Sequence, residues 1–211
     1  MIAAKQLEIA KARLAPAMPA AERRTLAEAM FRDVLAAAMG ARNAVRVAVV
    51  TSDSCLLDIA RAAGAIAVDE EYPRGLNAAI ATATASLKSL GATAICTVLS
   101  DVPMTTSADI DAAFDALPPA GDGVVLVPSR DFSGTNIICR RPATAIPTCF
   151  GRMSLVRHLD EARVRGIPAS VLRLARPALD LDTTADLAEF VRRGSGTHTQ
   201  NHLARLGIAP H

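Results

Sequence analysis

The residues best suited to chemistry are charged and widely separated along the chain. Lys5, Lys11 and Arg13 crowd its amino end, and three aspartates, Asp101, Asp180 and Asp182, follow at a distance. The lysines stand out because the chain otherwise uses arginine: Lys5, Lys11 and Lys88 are its three lysines, against twenty arginines. A compact ammonium suits a phosphate oxygen, and three cations on one loop could neutralise a triphosphate and stabilise a departing pyrophosphate. The loop over residues 5–16 has no glycine, so it is neither a Walker loop nor a dinucleotide fingerprint. An exposed basic turn fits the same spacing equally well. Asp101 follows an apolar run, in Ser100-Asp101-Val102-Pro103. A carboxylate at the tip of a buried strand is costly unless it binds something. Mg²⁺, which takes one or two carboxylates plus substrate phosphates, is the natural partner, and a helix cap is the alternative. In Leu179-Asp180-Leu181-Asp182, strand alternation puts both aspartates on one face, where they repel unless a cation or proton intervenes. With Asp101 they would complete a metal cradle. Asp182 can also cap the helix that follows.

Smaller polar groups fall at similar places. Thr51 and Ser52 follow another apolar run and could meet the edge of a nucleotide base, although Ser52 or Asp53 would serve as well as a helix cap. Arg74-Gly75-Leu76-Asn77 opens a helical stretch. Gly75 permits close backbone approach, and the Asn77 amide offers a donor and an acceptor that suit a purine edge; an ordinary turn is the plainer reading. Ser154 stands where a helix begins after Phe150-Gly151-Arg152-Met153, and helix N-termini bind phosphate through free N–H groups. Thr135, in Gly134-Thr135-Asn136, could add a hydroxyl and Arg152 a charge.

Short apolar runs alternating with helical patterns must position these groups, which is the signature of an α/β fold with a mainly parallel sheet. The runs predict strands over 45–51, 65–68, 93–99, 124–128, 135–139, 170–174 and 178–181, and helices over 20–39, 54–63, 76–90, 107–117, 153–165 and 184–192. Ser107 with Asp109, and Thr183-Thr184 with Asp186, mark helix N-termini. Residues 1–4 leave little room for a first strand. In sheets of this kind ligands bind at the carboxyl ends of the strands, and every residue named above lies at such an end or at a neighbouring turn. Residues 1–193 are expected to form one domain. Residues 194–211, beginning Gly-Ser-Gly, are expected to be a flexible tail with a frayed helix.

The bulk properties narrow the classes. A chain of 211 residues that is 51% hydrophobic can bury a full core and is not disordered. A net charge of +2 gives no pull toward nucleic acid, and 3% aromatics with no Trp argues against base-stacking platforms. No run of eighteen apolar residues is present, so no membrane span is expected. Cys55, Cys96, Cys139 and Cys149 have neither metal-ligand nor redox spacing, and the amino end has no apolar signal core. A cytoplasmic protein that could form a homodimer is the expectation.

Taken in order, Lys5…Leu7…Ala10-Lys11-Ala12-Arg13-Leu14, Arg74-Gly75-Leu76-Asn77, Ser100-Asp101-Val102-Pro103, Gly134-Thr135-Asn136, Phe150-Gly151…Ser154…Arg157-His158-Leu159 and Asp180-Leu181-Asp182-Thr183 resemble the 2-phospho-L-lactate guanylyltransferase family. That family includes the phosphoenolpyruvate and 3-phospho-D-glycerate guanylyltransferases and acts in biosynthesis of the deazaflavin coenzyme factor 420. Each motif alone is weak; their order over residues 1–192 is specific. The resemblance implies a glycosyltransferase-A type fold, like the nucleotide-diphospho-sugar transferases, with a mixed, mostly parallel sheet flanked by helices. It implies attack of a phospho-acid on the α-phosphorus of GTP, release of pyrophosphate, and a downstream transferase that takes the guanylylated product. Asp101 and Asp180 would hold Mg²⁺ with Asp182 close by. Thr135, Gly151 and Ser154 would hold the phospho-acid, and Lys5, Lys11 and Arg13 would face the triphosphate. Where the family commonly has Pro with Gly or Asp, this chain has Arg152-Met153. Arg152 is therefore expected to meet the carboxylate of a bulkier acid such as 3-phosphoglycerate. Molybdopterin guanylyltransferases and sugar-phosphate cytidylyltransferases share the fold but carry a glycine-rich first loop, which this chain lacks. A non-catalytic nucleotide-binding protein would have no need of all three aspartates.

Overall fold

The computed structural model describes residues 1–70, 74–193 and 196–208. Seven strands form one sheet: β1 (Ile2–Ala3), β2 (Ala48–Thr51), β3 (Ile66–Asp69), β4 (Ile95–Leu99), β5 (Gly123–Pro128), β6 (Thr135–Arg141) and β7 (Ala169–Val171). Their order is β3-β2-β1-β4-β6-β5-β7. β6 runs antiparallel to both β4 and β5, and all other pairings are parallel. The helices are α1 (Ala20–Met39), α2 (Ser54–Ala62), α3 (Leu76–Ser89), α4 (Ser107–Asp115), α5 (Ser154–Val164), α6 (Thr184–Arg193) and α7 (His198–Arg205). Among the described residues none is long and apolar enough to cross a membrane.

Strand periodicity divides the interior into two layers. Ile2, Val49, Val98, Val125 and Val127 face one way, against Met30, Phe31 and Val34 of α1 and Phe190 of α6. Ala3, Val50, Val124, Leu126 and Ile138 face the other way, against Ile80 and Ala83 of α3 and Leu155 and Ala162 of α5. Near-continuous apolar strands of this kind are what a sheet covered on both faces requires.

β1 is short yet central. Its two residues pair with β2 on one side and β4 on the other, and bonds from Ala4 N to Val50 O (3.1 Å) and Val98 N to Met1 O (2.9 Å) extend the ladder. The chain runs from β1 to β2 and β3 on one side and then crosses to β4 on the other side of β1, so the topological switch point lies between β1 and β4, where a crevice opens outside the strand ends. Reversal of β6 brings its first residues beside the end of β4, since Val98 pairs with Ile137.

Two expectations change. The segment 178–181 is not a strand. Ala178 closes a turn, and the residues that follow are held by single backbone bonds, Arg130 N to Ala178 O (2.9 Å) and Leu181 N to Asp101 O (3.0 Å), rather than by a ladder. The carboxyl-terminal segment is not a frayed tail. α7 packs on α1, with Leu203 fully buried, and Asp33 of α1 accepts from His198 N (2.7 Å) and Thr199 N (2.9 Å). A carboxylate at a helix N-terminus stabilises it through both hydrogen bonds and the macrodipole. Positions 194–195 and 209–211 of the expected tail lie outside the described residues.

Candidate active site

The loop after β1 reaches the switch point through two one-turn 3₁₀ helices, Leu7–Ile9 and Ala12–Leu14, pinned by buried Leu7 and Leu14. Asp53 holds it from below: its carboxylate accepts from Leu7 N (2.9 Å) and caps α2 at Leu56 N (3.1 Å). Between the two turns Lys11 adopts a left-handed backbone (φ 54°), an unfavourable conformation for a residue with a Cβ. That conformation turns its side chain inward until only 6% is exposed. Lys11 Nζ then donates to Asp101 Oδ2 (3.1 Å) and Asp182 Oδ1 (2.8 Å). Arg13, largely exposed, reaches Asp182 Oδ2 at 3.4 Å.

The aspartates arrive from two directions. Asp101 ends the β4 turn. Asp180 and Asp182 alternate with buried Leu179 and Leu181 on this irregular segment, so both carboxylates lie on the side away from the core, as the alternation predicts. Three side chains brace that segment. Arg176 forks onto Asp109 of α4 through Nε and Nη2 (2.8 Å each), and Asn136 Nδ2 donates to Pro177 O (2.8 Å). Asp186, in α6, accepts from Thr183 N and Thr183 Oγ1 (2.8 Å each). Thr183 and Asp186 thus form the cap of α6, which leaves Asp182 free to face Lys11.

The charges interlock. Burial alone would lower the Lys11 pKa, but Asp101 and Asp182 outweigh it and raise it. Burial would raise the Asp182 pKa, but Lys11, Arg13 and Lys5 bring it below the usual carboxylate range. Among the described residues no cation is a main influence on Asp180. Burial first, then Asp101 and Asp182, push its pKa up. Asp101 Oδ1 is buried and, among the described residues, accepts no hydrogen bond. The donor set left over, one orphaned carboxylate oxygen and one carboxyl whose ionised form is disfavoured, fits a hard cation. The expected cradle of three carboxylates is not closed. Lys11 already occupies the space between Asp101 and Asp182, and among the described residues no three His, Cys, Asp or Glu side chains converge tightly enough to hold a metal by themselves.

A cleft of about 280 Å³ opens here, lined by Lys5, Lys11, Arg13, Leu76, Ser100, Asp101 and Asp182. Ser52 is half-buried at the β2 end, and Gly75, with φ 94°, starts α3. Two nucleotide-facing expectations are corrected. Thr51 is fully buried, and its Oγ1 accepts from Asp53 N (3.1 Å), so it shapes its own turn. Asn77 is turned to the Phe150 backbone: Nδ2 donates to Phe150 O (3.0 Å) and Oδ1 accepts from Phe150 N (2.8 Å). Thr135, Gly151 and Ser154 gather round a neighbouring loop. Thr135 is buried with Oγ1 3.1 Å from His158 Nδ1, Gly151 has φ 121°, and Ser154 N donates to Gly151 O (3.2 Å) at the start of α5. Arg152 is exposed on the same loop. Sequence reasoning gave no role to Asn136 or Arg176 and took Asp53 for a cap alone. Nothing local marks Arg176. Asp53 could have been found by asking what holds a glycine-free loop in place.

The chain is similar to known proteins over nearly its whole length. The family model described as "Guanylyl transferase CofC like" matches residues 1–210. The phosphoenolpyruvate guanylyltransferase of Conexibacter woesei is 36% identical over 207 residues, covering 96% of this chain and 93% of its own. The 2-phospho-L-lactate guanylyltransferase of Methanothermobacter thermautotrophicus is 36% identical, covering 93% and 85%. The 3-phospho-D-glycerate guanylyltransferase of Phenylobacterium zucineum is 38% identical, covering 93% and 91%. Among solved structures, a putative nucleotide-diphospho-sugar transferase from Desulfovibrio desulfuricans superposes with a TM-score of 0.78 at 17% identity, covering 98% of this chain and 94% of that one, which shows the shared fold. With its crevice at the β1/β4 switch point and its relatives matched over nearly their whole length, the chain belongs to the CofC-like guanylyltransferase family.

Proposed function

We propose that this enzyme transfers GMP from GTP to a small phospho-acid, namely phosphoenolpyruvate, 2-phospho-L-lactate or 3-phospho-D-glycerate, and releases pyrophosphate. The observation that carries this reading is the unpaired, buried Asp101 Oδ1 beside Asp180, within a cleft whose other wall is Lys5, Lys11 and Arg13. Asp101 and Asp180 would hold Mg²⁺, with Asp182 kept in place by Lys11. The metal, when bound, supplies positive charge to nucleotide phosphate oxygens. Lys5, and Arg13 from its 3.4 Å contact with Asp182, would offset charge on the departing pyrophosphate, and Leu76, with Ser52 at the β2 end, would border the space for the nucleoside. Thr135, Gly151 and Ser154 would take the phospho-acid, whose phosphate is already an anion. No general base is needed, and the work left to the protein is positioning and charge neutralisation. The four free thiols suit a reducing cytoplasm. The product, an activated diester anhydride, calls for a downstream transferase.

The test is pyrophosphate release by purified protein with Mg²⁺, each of the three acids, and GTP or CTP. Release with GTP and at least one acid is expected. Release with CTP alone would favour a cytidylyltransferase, and nucleotide binding without turnover would leave only a binding protein. Asp101→Asn is expected to lower turnover at least a hundredfold with the folded circular dichroism spectrum retained. Near-normal turnover would remove Asp101 from the metal site.

A further inference from the structure

The loop 149–154 is gripped at consecutive backbone groups by side chains from two helices. Asn77 of α3 makes a reciprocal pair with Phe150, donating to its carbonyl and accepting from its N–H at 3.0 and 2.8 Å. His158 of α5 accepts from the preceding amide: Cys149 N donates to its Nε2 at 2.7 Å. The Phe150 ring packs edge-on against the imidazole, with centroids 5.2 Å apart and planes at 79°. Immediately beyond this grip the backbone takes two left-handed steps, Gly151 (φ 121°) and Met153 (φ 54°), before Ser154 opens the helix. A residue with a Cβ in that region, such as Met153, persists only where its surroundings over-determine it.

His158 also sets a hydroxyl. Its Nε2 accepts the Cys149 amide, so the neutral ring carries its proton on Nδ1. Nδ1 then donates to Thr135 Oγ1 at 3.1 Å, and the hydroxyl's own proton is aimed away from the ring. Burial first, then Arg140 and Arg157, bring the His158 pKa down to about 4, which keeps this tautomer neutral at working pH. Asn77 has a second connection: it follows Leu76, which lines the cleft beside Lys11 and Asp101. The phospho-acid loop is therefore tied to the helix that borders the nucleotide.

We propose that Asn77 and His158 are positioning residues that fix the phospho-acid loop against the nucleotide cleft, Asn77 through the Phe150 backbone and His158 through Cys149 N and the Thr135 hydroxyl. This rests on the phospho-acid reading above. Neither side chain touches a substrate. Both act by presenting Thr135, Gly151 and Ser154 in one arrangement.

The test combines steady-state kinetics with peptide-resolved hydrogen exchange on Asn77→Ala, Asn77→Asp, His158→Phe and His158→Gln. In N77A, exchange of the 149–151 amides speeds up, the KM for the phospho-acid rises at least tenfold, and the KM for GTP stays within twofold. N77D, which keeps only the acceptor for Phe150 N, falls between N77A and the wild type. H158F raises the phospho-acid KM in the same way, and H158Q, whose amide can again accept from Cys149 N and donate to Thr135, recovers part of it. A phospho-acid KM within twofold of wild type in both N77A and H158F overturns the proposal. So does a GTP KM that rises in parallel in N77A, which would return Asn77 to the nucleotide. A wild-type protein that turns over none of the three acids refutes the proposed activity. Exchange still reads the grip itself, and unchanged exchange at 149–151 in N77A refutes that grip whatever the activity.

Discussion

Replacing Lys11 by Met keeps the chain length and the bulk of the side chain while removing the charge that Asp101 and Asp182 share. The Lys11 side chain is 6% exposed, and its two partners are 29% and 33% exposed. Breaking a fully buried ion pair costs about 3–5 kcal/mol, because the remaining charge is left uncompensated. The partial exposure of both aspartates lets water screen them, which reduces the expected loss to roughly 2–3 kcal/mol. For a domain of this size each kcal/mol lowers Tm by about 2–4 °C, so K11M should melt roughly 5–10 °C below wild type in the presence of a chelator. The same substitution leaves two more carboxylate oxygens, beside Asp101 Oδ1 and Asp180, open to a cation. A ligand at a hundred times its Kd stabilises by about 2.7 kcal/mol, so saturating Mg²⁺ should restore most of the lost Tm in K11M and raise wild type less. Differential scanning fluorimetry of both proteins, with EDTA and across a Mg²⁺ titration, measures all four values. If K11M melts within about 2 °C of wild type in EDTA, or if Mg²⁺ shifts both proteins equally, Lys11 is not the cation that holds these carboxylates together.

Asp180→Asn removes a charge that burial, Asp101 and Asp182 all disfavour. A rise in Tm together with a loss of turnover is expected, and a fall in Tm would mean that the carboxylate is stabilising after all. His158, at about 4, binds fewer protons when folded than its unfolded value near 6.5 allows, so stability is highest above pH 6.5 and falls as pH drops toward 4. At about 1.4 kcal/mol per unit, wild type should lose roughly 2–3 kcal/mol between pH 7 and pH 4.5 from this group. Urea midpoints of wild type and H158Q across that range isolate the effect, and equal slopes in the two proteins would exclude it. Arg152→Ala should lower kcat/KM for 3-phosphoglycerate several-fold more than for phosphoenolpyruvate in a pyrophosphate-release assay. Unchanged relative rates on the three acids would mean that Arg152 does not read the acid.

The local structure was legible because its causes are local. Apolar residues at helical spacing predict α1 over the residues it occupies, 20–39, and α2 to α6 to within two residues at either end, whereas α7 falls where a flexible tail was expected. Alternation in Leu179-Asp180-Leu181-Asp182 put both carboxylates on one side even though no strand forms there, because the two leucines are buried in turn and the aspartates are not. Residue chemistry singled out Lys11 and the aspartates, although a basic turn and helix caps fitted the same positions. What these side chains meet was decided only by the tertiary structure. Lys11 bonds residues 90 and 171 positions away, Asn77 bonds a residue 73 away, and Asp33 caps a helix 165 away. Such partners follow from strand order and from the reversal of β6, which no periodicity encodes. An amide whose chemistry suits a purine edge suits a peptide group equally well. For Asn77 the packing of α3 against the loop before α5 settled which of the two it meets.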